Sequence, residues 1–159
     1  MLLRGRDGSE FEIAIVDWGG STKAYPDEGP PRWVDVRSKV STPTVGWTFG
    51  GECLDDEEVE ALSSWLQAVA DRAEVESKIE FAEPYFSFHI VDSSENGVNL
   101  RIYLELRGRP PWSPSIEAPR RDVWIDLEVS RHDLRNAASA LKEETSRLPP
   151  LETLRSGRK

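Results

Sequence analysis

Three carboxylates, Glu105, Asp126 and Glu128, fall in the polar phase of two alternating stretches, where neighbouring strands would bring them together on one outer face. Such a cluster can bind a cation or serve acid–base work. Acids on an outer sheet face more commonly serve solubility and edge protection, and that reading is preferred. Other reactive residues are sparse. The two histidines, His89 and His132, belong to no His-Glu-x-x-His, His-x-His or Cys–His spacing, so no metal site is expected. His89 alternates with Phe88 and Ile90 and should face away from the core, while His132 falls in the first turn of a helix. A single cysteine, Cys53, excludes an internal disulfide and any multi-cysteine metal site. Its place before a helix would lower its pKa, but Asp55, Asp56, Glu57 and Glu58 oppose a thiolate, so Cys53 reads as a small buried apolar residue. No Gly-x-Ser-x-Gly occurs, and Gly5-x-x-Gly8 and Gly46-x-x-x-Gly50-Gly51 lack the ending and context of a phosphate loop. Neither a catalytic set nor a cofactor is expected.

The aromatics are more informative. Tyr103 and Trp124 occupy the polar phase of two strong strands, and Trp112 lies in a proline-rich loop. Exposed Trp and Tyr are typical binding anchors. The competing reading is that N-terminal strands or loops cover that face and bury them.

The elements that position these residues follow from periodicity. Alternation over 11–18, 33–40, 45–49, 78–82, 86–90, 98–107 and 123–129 predicts strands, with Gly50-Gly51 ending the third and Asn96-Gly97 turning a hairpin. Residues 19–32 read as a long loop rich in Gly and Pro, and 108–120 as a loop holding Pro110, Pro111, Pro114 and Pro119. Asp55 or Asp56 opens a helix that carries Val59, Leu62, Leu66 and Val69 and runs to about Arg72. Ser130-Arg131-His132-Asp133, a variant capping box, opens a second helix that Pro149-Pro150 ends. The fold class expected is α+β: a mainly antiparallel sheet of about six to seven strands with two α-helices packed on one face. Residues 1–150 read as one domain and 151–159 as a disordered basic tail.

The 159 residues carry a net charge of −9. Residues 151–159 hold one acid and three bases, so the tail is +2 and the body −11. That balance repels nucleic acid and anionic lipid, even with Arg107-Gly108-Arg109 and Arg120-Arg121 present, and it would attract a basic protein. Plain solubility is the preferred explanation of the charge. The Met1–Asp7 start is too short and charged for a signal peptide, and no stretch approaches the roughly 18 apolar residues of a membrane span. A cytoplasmic location is expected.

In its order of elements the chain resembles the WapI family of immunity proteins of bacterial polymorphic toxin systems. The stretches concerned are Trp33-Val34-Asp35-Val36, Cys53-Leu54 before the acidic helix start, Ile79-Glu80-Phe81-x-Glu83-Pro84-Tyr85-Phe86-Ser87-Phe88 and Arg109-Pro110-Pro111-Trp112, within residues 1–149. The resemblance implies a non-enzymatic protein that binds a cognate toxin, and it brings no catalytic residues. The sequence thus favours a protein-binding module whose partner is a protein, possible basic toxin domains included. The alternatives are a small enzyme using the outer-face acids and a self-associating structural domain. The partner-binding candidates are Tyr103, Trp124, Trp112, Glu105, Asp126 and Glu128.

Overall fold

A computed structural model describes residues 1–19, 33–114 and 121–150. Most of the loop expected over 19–32, residues 115–120 of the proline-rich loop and the tail 151–159 lie outside the described residues. In chain order the elements are β1 (Leu2–Arg4), β2 (Glu10–Trp18), β3 (Trp33–Ser41), β4 (Gly46–Asp55), α1 (Asp56–Ala70), β5 (Lys78–Ile79), β6 (Phe86–Ser93), β7 (Gly97–Leu104), a 3₁₀ turn (Leu106–Gly108), β8 (Trp124–Ser130) and α2 (Arg131–Ser146).

The α+β class and the antiparallel pairing agree with the sequence reading, but the strands divide into two sheets of four instead of one of six to seven. Each sheet is a meander in chain order, β1-β2-β3-β4 and then β5-β6-β7-β8, with α1 between them. Alternation reports which side chains share a face and is silent on which strand lies alongside. The short β1 escapes the sequence reading, and β5 keeps only two residues.

Strand β4 runs straight through Gly50-Gly51, where the sequence predicts an end. Val34 pairs with Leu54 and Asp35 with Glu52, so Cys53 is an extra residue in a β-bulge. Gly51 has φ +126°, and a Cβ on Gly50 would stand 2.4 Å from the Val36 carbonyl oxygen. The glycines therefore let β4 lie close against β3 ahead of the bulge at Cys53.

Asp55 is the N-cap of α1: its carboxylate accepts from Glu58 N–H at 2.8 Å, and Glu58 accepts in return from Asp55 N–H at 3.0 Å. Glu58 also accepts from Ala82 N–H at 2.7 Å, tying the helix start to the segment before β6. Asp55→Ala should lower stability by about 1 kcal/mol, within a range of about 0.5–2 kcal/mol, read as a lower urea midpoint at unchanged m-value. A variant as stable as wild type would show that the box adds nothing. The helix stops at Ala70, short of Arg72, because Arg72 takes φ +59°. At α2 half of the expected box forms: Ser130 Oγ accepts from Asp133 N–H, but the Asp133 carboxylate accepts from the Ser130 hydroxyl in place of the Ser130 backbone N–H.

One apolar core joins both sheets and both helices. All five phenylalanines meet in it or at its edge: Phe86 packs against Phe11, Phe49, Phe81 and Phe88, with ring centroids 5.2–6.2 Å apart. The helices pack on each other through small residues, and Ser63 Oγ donates to the Ala138 carbonyl at 2.8 Å. Helix α2 returns to the start of the chain, where Glu144 accepts from Ile15 N–H at 2.8 Å and the Pro149 carbonyl accepts from Trp18 Nε1–H at 2.7 Å.

Candidate protein-binding surface

The alternation of β7 places Leu100, Ile102 and Leu104 in the core and Asn99, Arg101 and Tyr103 on the outer face. In β8, Ile125, Leu127 and Val129 are buried, and Trp124, Asp126 and Glu128 point out. The two strands pair directly, with Tyr103 opposite Trp124, Arg101 opposite Asp126 and Asn99 opposite Glu128. The rings of Tyr103 and Trp124 stand 6.2 Å apart, and Trp124 remains 45% exposed. Among the described residues no element covers that indole.

Charge surrounds this pair closely. The Arg101 guanidinium lies 4.9 Å from the Trp124 ring centre and bonds both oxygens of Asp126, at 2.7 and 2.9 Å. Arg121 lies 5.7 Å from the Tyr103 ring centre and is ion-paired with Glu80. His89 meets Tyr103 edge-on at 4.8 Å. Burial lowers the His89 pKa, and Lys78 and Arg101 lower it further, so the imidazole is neutral at pH 7. Glu128 pairs with Arg6 at 2.6 Å. An apolar island with a charged rim has the composition of an interface core.

The acidic trio does not assemble. Asp126 and Glu128 share a shallow cleft with Arg6, Asp7, Val91 and Asn99, away from Glu105. Glu105 is not on the outer face: it is 5% exposed. The alternation fails there because β7 ends at Leu104, Glu105 N–H donates to the Tyr85 carbonyl at 2.9 Å, and Leu106 turns to φ +45°. Two consecutive residues, Leu104 and Glu105, are therefore buried. Among the described residues no group of three or more His, Cys, Asp and Glu could hold a metal ion.

Trp112 is 59% exposed and belongs to a different place. Its ring stands edge-on to Trp47 of β4 at 5.6 Å, and Trp47 Nε1 donates to the Gly108 carbonyl at 2.9 Å. The sequence reading passed over Trp47, as it did Arg121 and Glu80. A cation in a loop gives no periodic signal, and contacts between a loop and a distant strand leave none either. Cys53 is buried, and burial, followed by Glu58, Asp35 and Glu83, pushes its thiol up to about 12. It is a thiol at neutral pH and no nucleophile. His132 is exposed on the first turn of α2.

The model of the immunity protein WapI-like family matches residues 1–149, from the strand before the first hairpin to the end of the α2 region. The chain belongs to the immunity protein WapI-like family. No curated protein and no solved structure gives a significant match. The WapI-like family's description suggests a protein-binding, toxin-neutralising role. Its match takes in both sheets and both helices, and so the whole Tyr103–Trp124 face. No helix among the described residues of this WapI-like protein is long and apolar enough to cross a membrane.

Proposed function

We propose that this chain is an immunity protein that neutralises a cognate basic toxin domain by covering it with the outer face of the β5–β8 sheet, with residues 1–150 as the single binding unit. The observation that carries the reading is the Tyr103–Trp124 pair, two adjacent rings left open on a face whose charges are otherwise ion-paired. Membership of the family supports a protein partner, and the net charge of −9 supports a basic one. An acidic surface speeds encounter with a basic toxin and makes the association rate fall with salt.

The test is a titration against the toxin domains encoded beside the gene, with protection of cells that express the toxin as the second readout. Nanomolar or tighter binding is expected, with an association rate that drops as salt rises. Absence of both binding and protection with every neighbouring toxin would overturn the reading. The enzymatic alternative keeps one observation, the buried Glu105 beside a cleft, but the acids meant to work with it lie elsewhere.

A further inference from the structure

A cleft of about 550 Å³ opens beside the Tyr103–Trp124 island, lined by Glu80, Phe81, Pro84, Ser87, Glu105 and Arg121, with Phe86 behind them. Arg121 belongs to both features, because the same guanidinium lines the cleft and lies over the Tyr103 ring. The cleft is therefore continuous with the candidate interface.

Glu105 is the unusual member. It is 5% exposed, yet among the described residues its carboxylate has no hydrogen-bond or ion-pair partner, and its oxygens are not sealed within the protein. A carboxylate taken from water without a partner is costly, and folded proteins seldom keep one for structure alone. The cations nearby have partners of their own, although the buried Arg109 Nε has none among the described residues. Arg109, whose side chain is 7% exposed, is ion-paired with Asp122, and Arg121 is ion-paired with Glu80. Glu80 is also paired with Lys78, at 2.8 Å, so among these described residues Glu105 is the acid without an ion pair. Burial pushes the Glu105 carboxyl above the ordinary carboxylate range; Arg109 opposes that shift and Asp122 adds to it.

We infer that the cleft is a socket for one basic side chain, a lysine or arginine of the protein partner, whose charged head pairs with Glu105 while its aliphatic stem lies against Phe81 and Pro84. The inference rests on the proposed toxin-binding role and adds to it: the island supplies apolar area, and the socket supplies orientation and selects a cation. Long basic side chains suit such a place because their stems bury against apolar walls while their heads seek a charge. A pair formed in a largely desolvated pocket discriminates strongly against a neutral residue.

The test uses small probes, so it does not depend on the toxin. Nα-acetyl-arginine amide is titrated into the ¹³C-labelled full chain, and the Glu105 side-chain carboxyl signal is followed by NMR. Nα-acetyl-citrulline amide serves as the neutral isostere and agmatine as a free amine. A saturable shift with the arginine amide is expected, with binding at least about tenfold weaker for the citrulline amide and about tenfold weaker for the arginine amide in Glu105→Gln, judged there from neighbouring amide signals. Glu105→Gln should fold, because it removes an unpartnered charge without changing shape, and a urea titration confirms that. Equal response to arginine and citrulline amides, or an unchanged response in Glu105→Gln, overturns the socket. Binding of agmatine at least about a hundredfold tighter than the arginine amide would assign the cleft to a free amine and overturn the protein side chain as its occupant. An unresponsive cleft in a chain that still binds toxin removes the socket alone. A responsive cleft in a chain that binds no toxin removes the toxin reading and leaves the cation site.

Discussion

Phe86→Ala should destabilise the protein by about 3–5 kcal/mol, the range for emptying a phenylalanine site in a closed core. Phe86 is 1% exposed and is the one ring that touches all four other phenylalanines, from β2, β4, the segment before β6 and β6 itself. Removing it leaves a cavity between the two sheets, where neither backbone can move inward without breaking its own ladder. Typical domains have only about 5–15 kcal/mol of stability to lose, so the variant should melt far lower or fail to fold at 37 °C. Phe86→Leu keeps much of the volume and should lose clearly less. Urea unfolding of both variants checks this. A Phe86→Ala loss below about 1 kcal/mol would mean that the sheets are not joined through this cluster.

Trp124→Ala should do the opposite, sparing the fold and damaging recognition. With 45% of its surface open, the indole contributes little to the core, and stability should change by no more than about 1 kcal/mol. Binding to the toxin should weaken by about 2 kcal/mol or more, roughly thirtyfold, as for a central aromatic anchor. The loss should sit mainly in a faster dissociation rate. Thermal melting and a binding titration on the same preparation separate the outcomes. A large stability loss would place Trp124 in the core, against the register that sets it opposite Tyr103. Unchanged stability with unchanged binding would move the interface away from this sheet, with Trp112 and its neighbour Trp47 the next aromatics to test.

The face that carries Trp124 was legible because β7 and β8 alternate without interruption, which sends Tyr103 and Trp124 to the side away from Ile102 and Ile125. Their pairing was expected because only the proline-rich loop separates the two strands. Glu105 was misread for a definable reason: the alternation of apolar residues continues in sequence to Leu106, but the backbone has left the strand by then. The division into two sheets was not legible, because period-2 patterning looks the same in one sheet and in two. Nor was the continuation of β4, since Gly50-Gly51 reads as a stop when its partner strand is unseen. Long-range contacts such as Trp47 with Trp112, and Arg121 with both Glu80 and Tyr103, depend on tertiary placement.

The return of α2 to the first meander has a consequence for how the molecule comes into being on the ribosome. Ile15 and Trp18 emerge early, yet their partners Glu144 and Pro149 are made 129 and 131 residues later. At roughly 5–20 residues per second, the nascent β2 waits on the order of ten seconds with its apolar side unshielded. The first sheet can pair its strands in that interval but cannot close its core, so the domain finishes folding only once α2 has been made. Under the proposed function, protection would lag synthesis of β2 by the time needed to make the last helix, and holdase chaperones have a window on the β2 surface in that interval.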